Sequence, residues 1–123
     1  MKIFIADHSQ IDRSRVITQL AGRPDVSIVG TAETAHDARD RISRLRPDVV
    51  LLDERLCATC SIDLLQLLAM SHPDLKVIVL RDHSVSPSRS EQQLRVAGAD
   101  FVFDKAVHLD RILEMLNEAS ARH

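Results

Sequence analysis

The chain has 123 residues, enough for one domain and too few for two. Apolar residues make up 45% and charged residues 28%, a globular balance that excludes a disordered chain. The net charge of -2 offers no basic footprint for a phosphate backbone, and the longest apolar runs are far too short to span a bilayer. Met1 and Lys2 lead straight into a short strand-like run rather than a signal-peptide core, so the cytosol is the expected compartment. Cys57 and Cys60 stand too close together to staple a fold, which excludes a secreted disulfide scaffold.

Ile3 to Ala6 reads as a first strand, followed by a helix from about Gln10 to Ala21. Three segments then repeat one pattern, beginning Arg23-Pro24-Asp25, Arg46-Pro47-Asp48 and His72-Pro73-Asp74, each leading into an apolar run. Proline lacks an N–H and clashes with the preceding turn, so it stops a helix, and the β-branched residues that follow suit a pleated strand. The runs Val49 to Leu52 and Val77 to Leu80 are continuously apolar, as central parallel strands covered on both faces must be. Between them, Ala35, Ala38, Ile42 and Leu45 share one helical stripe, and Thr34 with Asp37 marks its start. A third helix is expected from about Ser61 to Ser71, and a fourth from the Ser88–Glu91 pair to near Gly98. Phe101 to Phe103 forms a fifth strand, and Leu109, Ile112, Leu113 and Leu116 a fifth amphipathic helix.

Five βα units are too few for an eight-stranded barrel. Right-handed crossovers then lead to an α/β domain, a three-layer doubly wound (βα)5 fold with an open parallel sheet. In such sheets, polar residues just past the carboxyl ends of the strands share one crevice. Asp7-His8, Asp53-Glu54-Arg55, Arg81-Asp82-His83 and Asp104-Lys105 occupy those places, so Asp7, Asp53, Arg81 and Lys105 are expected to face one another. A charge after an apolar strand is by itself only the first solvated loop residue. Lys105 stands out because the chain holds just three lysines, Lys2, Lys76 and Lys105.

Lys2 to Asp7 with His8-Ser9, the run Pro47 to Leu56, and Ala97-Gly98-Ala99-Asp100 leading to Lys105 resemble, along the whole chain, a receiver domain of bacterial two-component response regulators. The resemblance implies a flavodoxin-like sheet in the order 2-1-3-4-5, with Asp53 as phosphoacceptor and Lys105 as the phosphoryl contact. It also implies that Asp7 is the surviving member of an acidic pair holding Mg²⁺, joined by Asp53 and the backbone carbonyl of Arg55. The chemistry suits these residue types, because a carboxylate attacks a phosphoryl donor only where the crowded negative charge is neutralised. A hard cation such as Mg²⁺ takes one or two carboxylates plus waters.

The chain also departs from the family. Ala6 replaces the first acid of the pair, Arg81 the Ser or Thr that binds the phosphoryl group, and Val102 the aromatic switch residue. Cys57 and Ser61 stand for the usual Pro and Gly after the phosphoacceptor, and Ala106 for the Pro after the lysine. Asp7 and Asp53 against Lys105 and Arg81 sum to zero, so Mg²⁺ is expected to bind weakly, with Arg81 either clamping Asp53 or cradling phosphate. Arg81 and Val102 remove the usual coupling to the face formed by the fourth helix, fifth strand and fifth helix.

Other chemistry has less support. Cys57-Ala58-Thr59-Cys60 is a C-x-x-C in which a thiol near a helix N-terminus could be redox-active; the plainer reading is two small apolar residues. His8 and His83 with the two cysteines are a remote zinc set. His36, His72, His108 and His123 read as solvated. Gly22, Gly30 and Gly98 form no phosphate-binding loop, and no nucleophile elbow is present. Ile11, near the crevice mouth, is either a docking contact or a core residue.

The expectation is a single receiver-like domain over residues 1–123 without an output domain. It accepts a phosphoryl group on Asp53 from a histidine kinase or phosphotransfer protein, and it has a downstream protein partner but no nucleic-acid or membrane partner. It is no enzyme beyond self-phosphorylation and slow autodephosphorylation. The alternative is a pseudo-receiver that binds proteins without phosphorylation.

Overall fold

The computed structural model describes residues 1–57, 63–82, 89–107 and 109–121, the side chains of 117–121 excepted. Five parallel strands, β1 (Lys2–Ala6), β2 (Ser27–Ala32), β3 (Val49–Asp53), β4 (Lys76–Arg81) and β5 (Phe101–Asp104), form one sheet in the order β2-β1-β3-β4-β5. Six helices connect and cover them among the described residues: α1 (Gln10–Leu20), α2 (Ala35–Leu45), α3 (Glu54–Cys57), α4 (Leu64–Ser71), α5 (Glu91–Ala97) and α6 (Leu109–Ala121).

The period-2 alternation of the strands sorts the core into two layers. Phe4, Ala6, Val50, Leu52, Val77, Val79 and Val102 point to the face covered by α2, α3, α4 and α5. Ile3, Ile5, Val49, Leu51, Ile78 and Leu80 point to the face covered by α1 and α6. Val49 to Leu52 are all buried, which is why that run has no polar alternation. Phe101 and Phe103 lie on the α6 side, their rings stacked with centroids 6.0 Å apart.

Helix boundaries follow local chemistry. Thr34 caps α2 by accepting from the Asp37 N–H, as its spacing predicts. The Ser88–Glu91 pair is corrected: α5 begins at Glu91, capped by Ser90, whose hydroxyl accepts from the Gln93 N–H while the Gln93 side chain accepts from the Ser90 N–H. Ser90-x-x-Gln93 is a capping box of the same form two residues on, and it closes both bonds; Ser88 lies outside the described residues. Likewise α4 starts at Leu64 under an Asp63 cap rather than at Ser61, which is also outside the described residues. The short helix α3, unexpected from the sequence, turns the chain directly after β3. Gly98 ends α5 with φ +132°, and an added Cβ there would stand 2.6 Å from the Ala69 Cβ, so glycine lets α5 close onto α4. No helix among the described residues is long and apolar enough to cross a membrane.

Candidate functional site

Strand register brings the predicted residues to one rim. Ala6 pairs with Leu52 across β1 and β3, which sets Asp7 and Asp53 side by side as the next residues. Arg81 pairs with Asp104 across β4 and β5, and the Lys105 N–H donates to the Arg81 carbonyl at 2.7 Å. The Asp7 N–H donates to the Ala32 carbonyl, holding Asp7 to the end of β2. Asp7 and Asp53 are the only buried charged side chains among the described residues, at 3% and 2% exposed.

Lys105 lies among three carboxylates. Its Nζ donates to Asp12 Oδ2 at 2.8 Å and to Asp7 Oδ2 at 2.9 Å, and stands 3.6 Å from Asp53 Oδ1. Burial pushes the Asp7 carboxyl above the usual carboxylate range, reinforced by the Asp53 charge and only partly opposed by Lys105 and the Ser9 N–H. Burial alone would pull the Lys105 ammonium down, yet its bonds to Asp12 and Asp7 hold it above the ordinary lysine value.

Asp53 is held from the other side by Arg55. The Arg55 N–H donates to Asp53 Oδ1 and its Nε to Oδ2, both at 3.2 Å. Of the two roles the sequence left open for Arg81, clamping Asp53 or cradling phosphate, the clamp is not formed: its Nε pairs with Glu54 Oε2 at 3.8 Å, while Glu54 Oε1 accepts from the Arg89 N–H at 2.9 Å. Helix α3 explains the difference, since a turn beginning at Glu54 puts Arg55 over its own strand end and Glu54 toward β4. The two-against-two charge count is corrected too. Among the described residues, Asp7, Asp12, Asp53 and Glu54 meet Lys105, Arg55, Arg81 and Arg15, so the set is larger than expected, four against four, and its charges still cancel.

Asp12 is the residue that sequence reasoning missed, and Glu54 was placed at the strand end without its pairing to Arg81. Asp12 sits in the first turn of α1, where an acid is expected for its own sake beside the cap, the Asp12 N–H donating to Ser9 Oγ at 3.2 Å. Its only signal was proximity in sequence to Asp7.

The donor set suits a hard cation, but each oxygen is engaged. Asp7 Oδ1 accepts from the Ser9 N–H at 2.9 Å and Oδ2 from Lys105, while both Asp53 oxygens accept from Arg55. Among the described residues no group of three His, Cys, Asp or Glu side chains is set to hold a metal ion.

The thiol reading is corrected at Cys57. It is fully buried, at the end of α3 rather than at a helix N-terminus, and burial pushes its thiol up to about 12, so it stays a protonated, unreactive core residue. Cys60 and His83 lie outside the described residues, and His8 is exposed while Cys57 is buried, so no zinc set is assembled among the described ones. Val102 is buried in the core layer that also holds Leu94, and Ile11 is 75% exposed rather than part of the core.

Comparisons with known proteins agree with this geometry. The family model of the response regulator receiver domain matches residues 3–117. The chain is 27% identical over 114 residues to a protein-glutamate methylesterase/protein-glutamine glutaminase of Hydrogenovibrio crunogenus, covering 93% of this chain and 30% of that protein. It is 29% identical over 115 residues to the DNA-binding transcriptional activator DevR/DosR of Mycobacterium tuberculosis, covering 93% of this chain and 53% of that protein. It therefore spans about half or less of these relatives. The signal receiver domain of the putative response regulator NarL from Mycobacterium tuberculosis superposes with a TM-score of 0.80 at 19% identity, covering 99% of this chain and 97% of the other. With the acids of β1 and β3 meeting the lysine after β5 on a sheet of this order, and the family model matched almost end to end, the chain belongs to the response regulator receiver domain family.

Proposed function

We propose that this receiver accepts a phosphoryl group on Asp53 from a partner histidine kinase or phosphotransfer protein, and relays the signal by protein contact. The observation that carries the reading is Asp53 at the end of β3 with the Lys105 ammonium 3.6 Å from Oδ1 and Asp7 beside it. An Asp53 oxygen attacks phosphorus, the bond to the donor nitrogen breaks, and the donor imidazole leaves. Lys105 meets the charge on the transferred group, which is the main work such a site performs. Because Asp53 is buried beneath Arg55, the guanidinium must swing out before a donor can reach it. Arg55 is exposed, so that motion costs little packing.

Mg²⁺, held by Asp7, Asp53 and the Arg55 carbonyl, would neutralise charge on the transferring oxygens. It binds weakly in this reading because it must displace Lys105 from Asp7 or Arg55 from Asp53. The receiver domain itself would carry out only its own phosphorylation and slow hydrolysis. Exposed Ile11 beside the site is the docking contact for the donor.

A second reading is favoured by the saturation of Asp7 and Asp53, by Arg81 on Glu54, and by Val102 in the switch position: a pseudo-receiver that binds partners through a fixed surface. Incubation with a small acyl phosphate and Mg²⁺, followed by intact mass, separates the two. The phosphoacceptor reading expects a phosphate adduct lost in Asp53→Asn; no adduct at any donor concentration leaves the pseudo-receiver.

A further inference from the structure

We propose that Asp12 is a positioning residue whose carboxylate anchors Lys105 toward α1 and holds it off Asp53. The inference concerns the placement of Lys105, and it rests on the phosphoacceptor reading only for its kinetic consequence. The Lys105 contacts to Asp12 and Asp7, at 2.8 and 2.9 Å, are within the range of charge-assisted hydrogen bonds, whereas 3.6 Å to Asp53 is beyond it. The lysine after β5 therefore spends its short bonds on β1 and α1 rather than on the residue it would serve.

The placement of Asp12 is built into the start of α1. Asp7 Oδ1 accepts from the Ser9 N–H, and Ser9 Oγ accepts from the Asp12 N–H, so one cap ties the two carboxylates to the same turn. The other Asp12 oxygen faces Arg15 Nη2 at 3.9 Å, a solvent-exposed partner that competes little for the carboxylate. Asp12 is partly exposed and its loss opens no core cavity. For Lys105 to reach a phosphoryl group on Asp53, the bond to Asp12 must lengthen or break. Asp12 thus acts through Lys105 and touches no reacting atom.

Asp12→Asn and Asp12→Glu provide the test, with folding checked by amide spectra. The lysine ε-methylene signals of only three lysines can be followed by ¹³C NMR through a pH titration. The Lys105 pKa is expected to fall by about one pH unit in Asp12→Asn, the usual effect of losing an adjacent opposite charge, and to recover in Asp12→Glu. In parallel, the rate of acyl-phosphate-driven adduct formation rises about tenfold in Asp12→Asn, the factor expected when one charge-assisted hydrogen bond no longer has to break, and returns toward wild type in Asp12→Glu. An unchanged Lys105 titration overturns the inference, as does a measurable wild-type rate that Asp12→Asn leaves equal or lowers. If neither protein takes up phosphate while the Lys105 pKa falls as stated, the phosphoacceptor reading fails and the Asp12 anchor stands.

Discussion

Replacing Lys105 with methionine removes the ammonium from three carboxylates while keeping the length and apolar stem of the side chain. Two short charge-assisted bonds are lost, one to buried Asp7 and one to part-exposed Asp12. Taking one partner from a buried ion pair costs about 3–5 kcal/mol, and the low end applies here because Asp12 can turn to water. The cost depends on pH with a definite sign. The Asp7 carboxyl already titrates above its ordinary 3.8, and Lys105 is one of the groups pulling it down, so the variant raises it further. An acid with a raised folded-state pKa lends stability that is complete below its unfolded value and is lost as pH rises through the folded one. The penalty is therefore expected to be about 3 kcal/mol at pH 8 and to shrink to about 1 kcal/mol near pH 4, where Asp7 accepts a proton and the unpaired charge disappears. Urea denaturation at a series of pH values measures it. Vacating the ammonium position also leaves the acids to a divalent cation, and Mg²⁺ at about 100 times its Kd would return ~2.7 kcal/mol. A penalty equal at pH 4 and pH 8, together with a Mg²⁺ response no larger than that of wild type, would refute the reasoning that Lys105 is the resident counter-ion of this site.

Arg55→Met frees Asp53 Oδ2 and is expected to tighten Mg²⁺ binding by calorimetry about tenfold, roughly the value of one charge-assisted hydrogen bond; Arg81→Thr should do less, since Arg81 pairs with Glu54, and the reverse ranking contradicts the geometry. Gly98→Ala should destabilise by roughly 2–3 kcal/mol in urea melts, because the residue has φ +132° and the new Cβ would stand 2.6 Å from the Ala69 Cβ; a wild-type midpoint would show that α4 and α5 separate freely. Cys57, buried and with its thiol pushed up to about 12, should be alkylated at pH 8 only at the rate of global unfolding, and mass-spectrometric mapping of fast labelling at Cys57 would contradict its burial.

The physical meaning of the site changes once Asp12 and Arg55 are included. Two cations, Lys105 and Arg55, hold the two buried acids from opposite sides, and Arg81 is drawn off to Glu54. The departure of Arg81 from the family residue type therefore acts next to the site, on the first residue of α3 and, through Glu54 Oε1, on the Arg89 backbone one residue before the α5 cap. That linkage joins the end of β3 to the end of β4 and the entry to α5.

Strand positions and the assembly of Asp7, Asp53 and Lys105 at one rim were readable in the residues alone. Uninterrupted apolar runs, proline stops and helical stripes are local signals, and a parallel sheet carries every strand's carboxyl end to the same edge. Which cation holds which acid was decided by tertiary structure. Asp12 lies 93 residues from Lys105 in the chain, and its place in a helix's first turn makes it look like a capping charge. The unexpected turn α3 rotates Arg55 over Asp53 and sends Glu54 to Arg81, pairings set by side-chain direction within a few ångströms rather than by residue type. Residue type shows that charges will meet at a strand end; only the packed backbone, by fixing where each side chain starts and points, selects the partners.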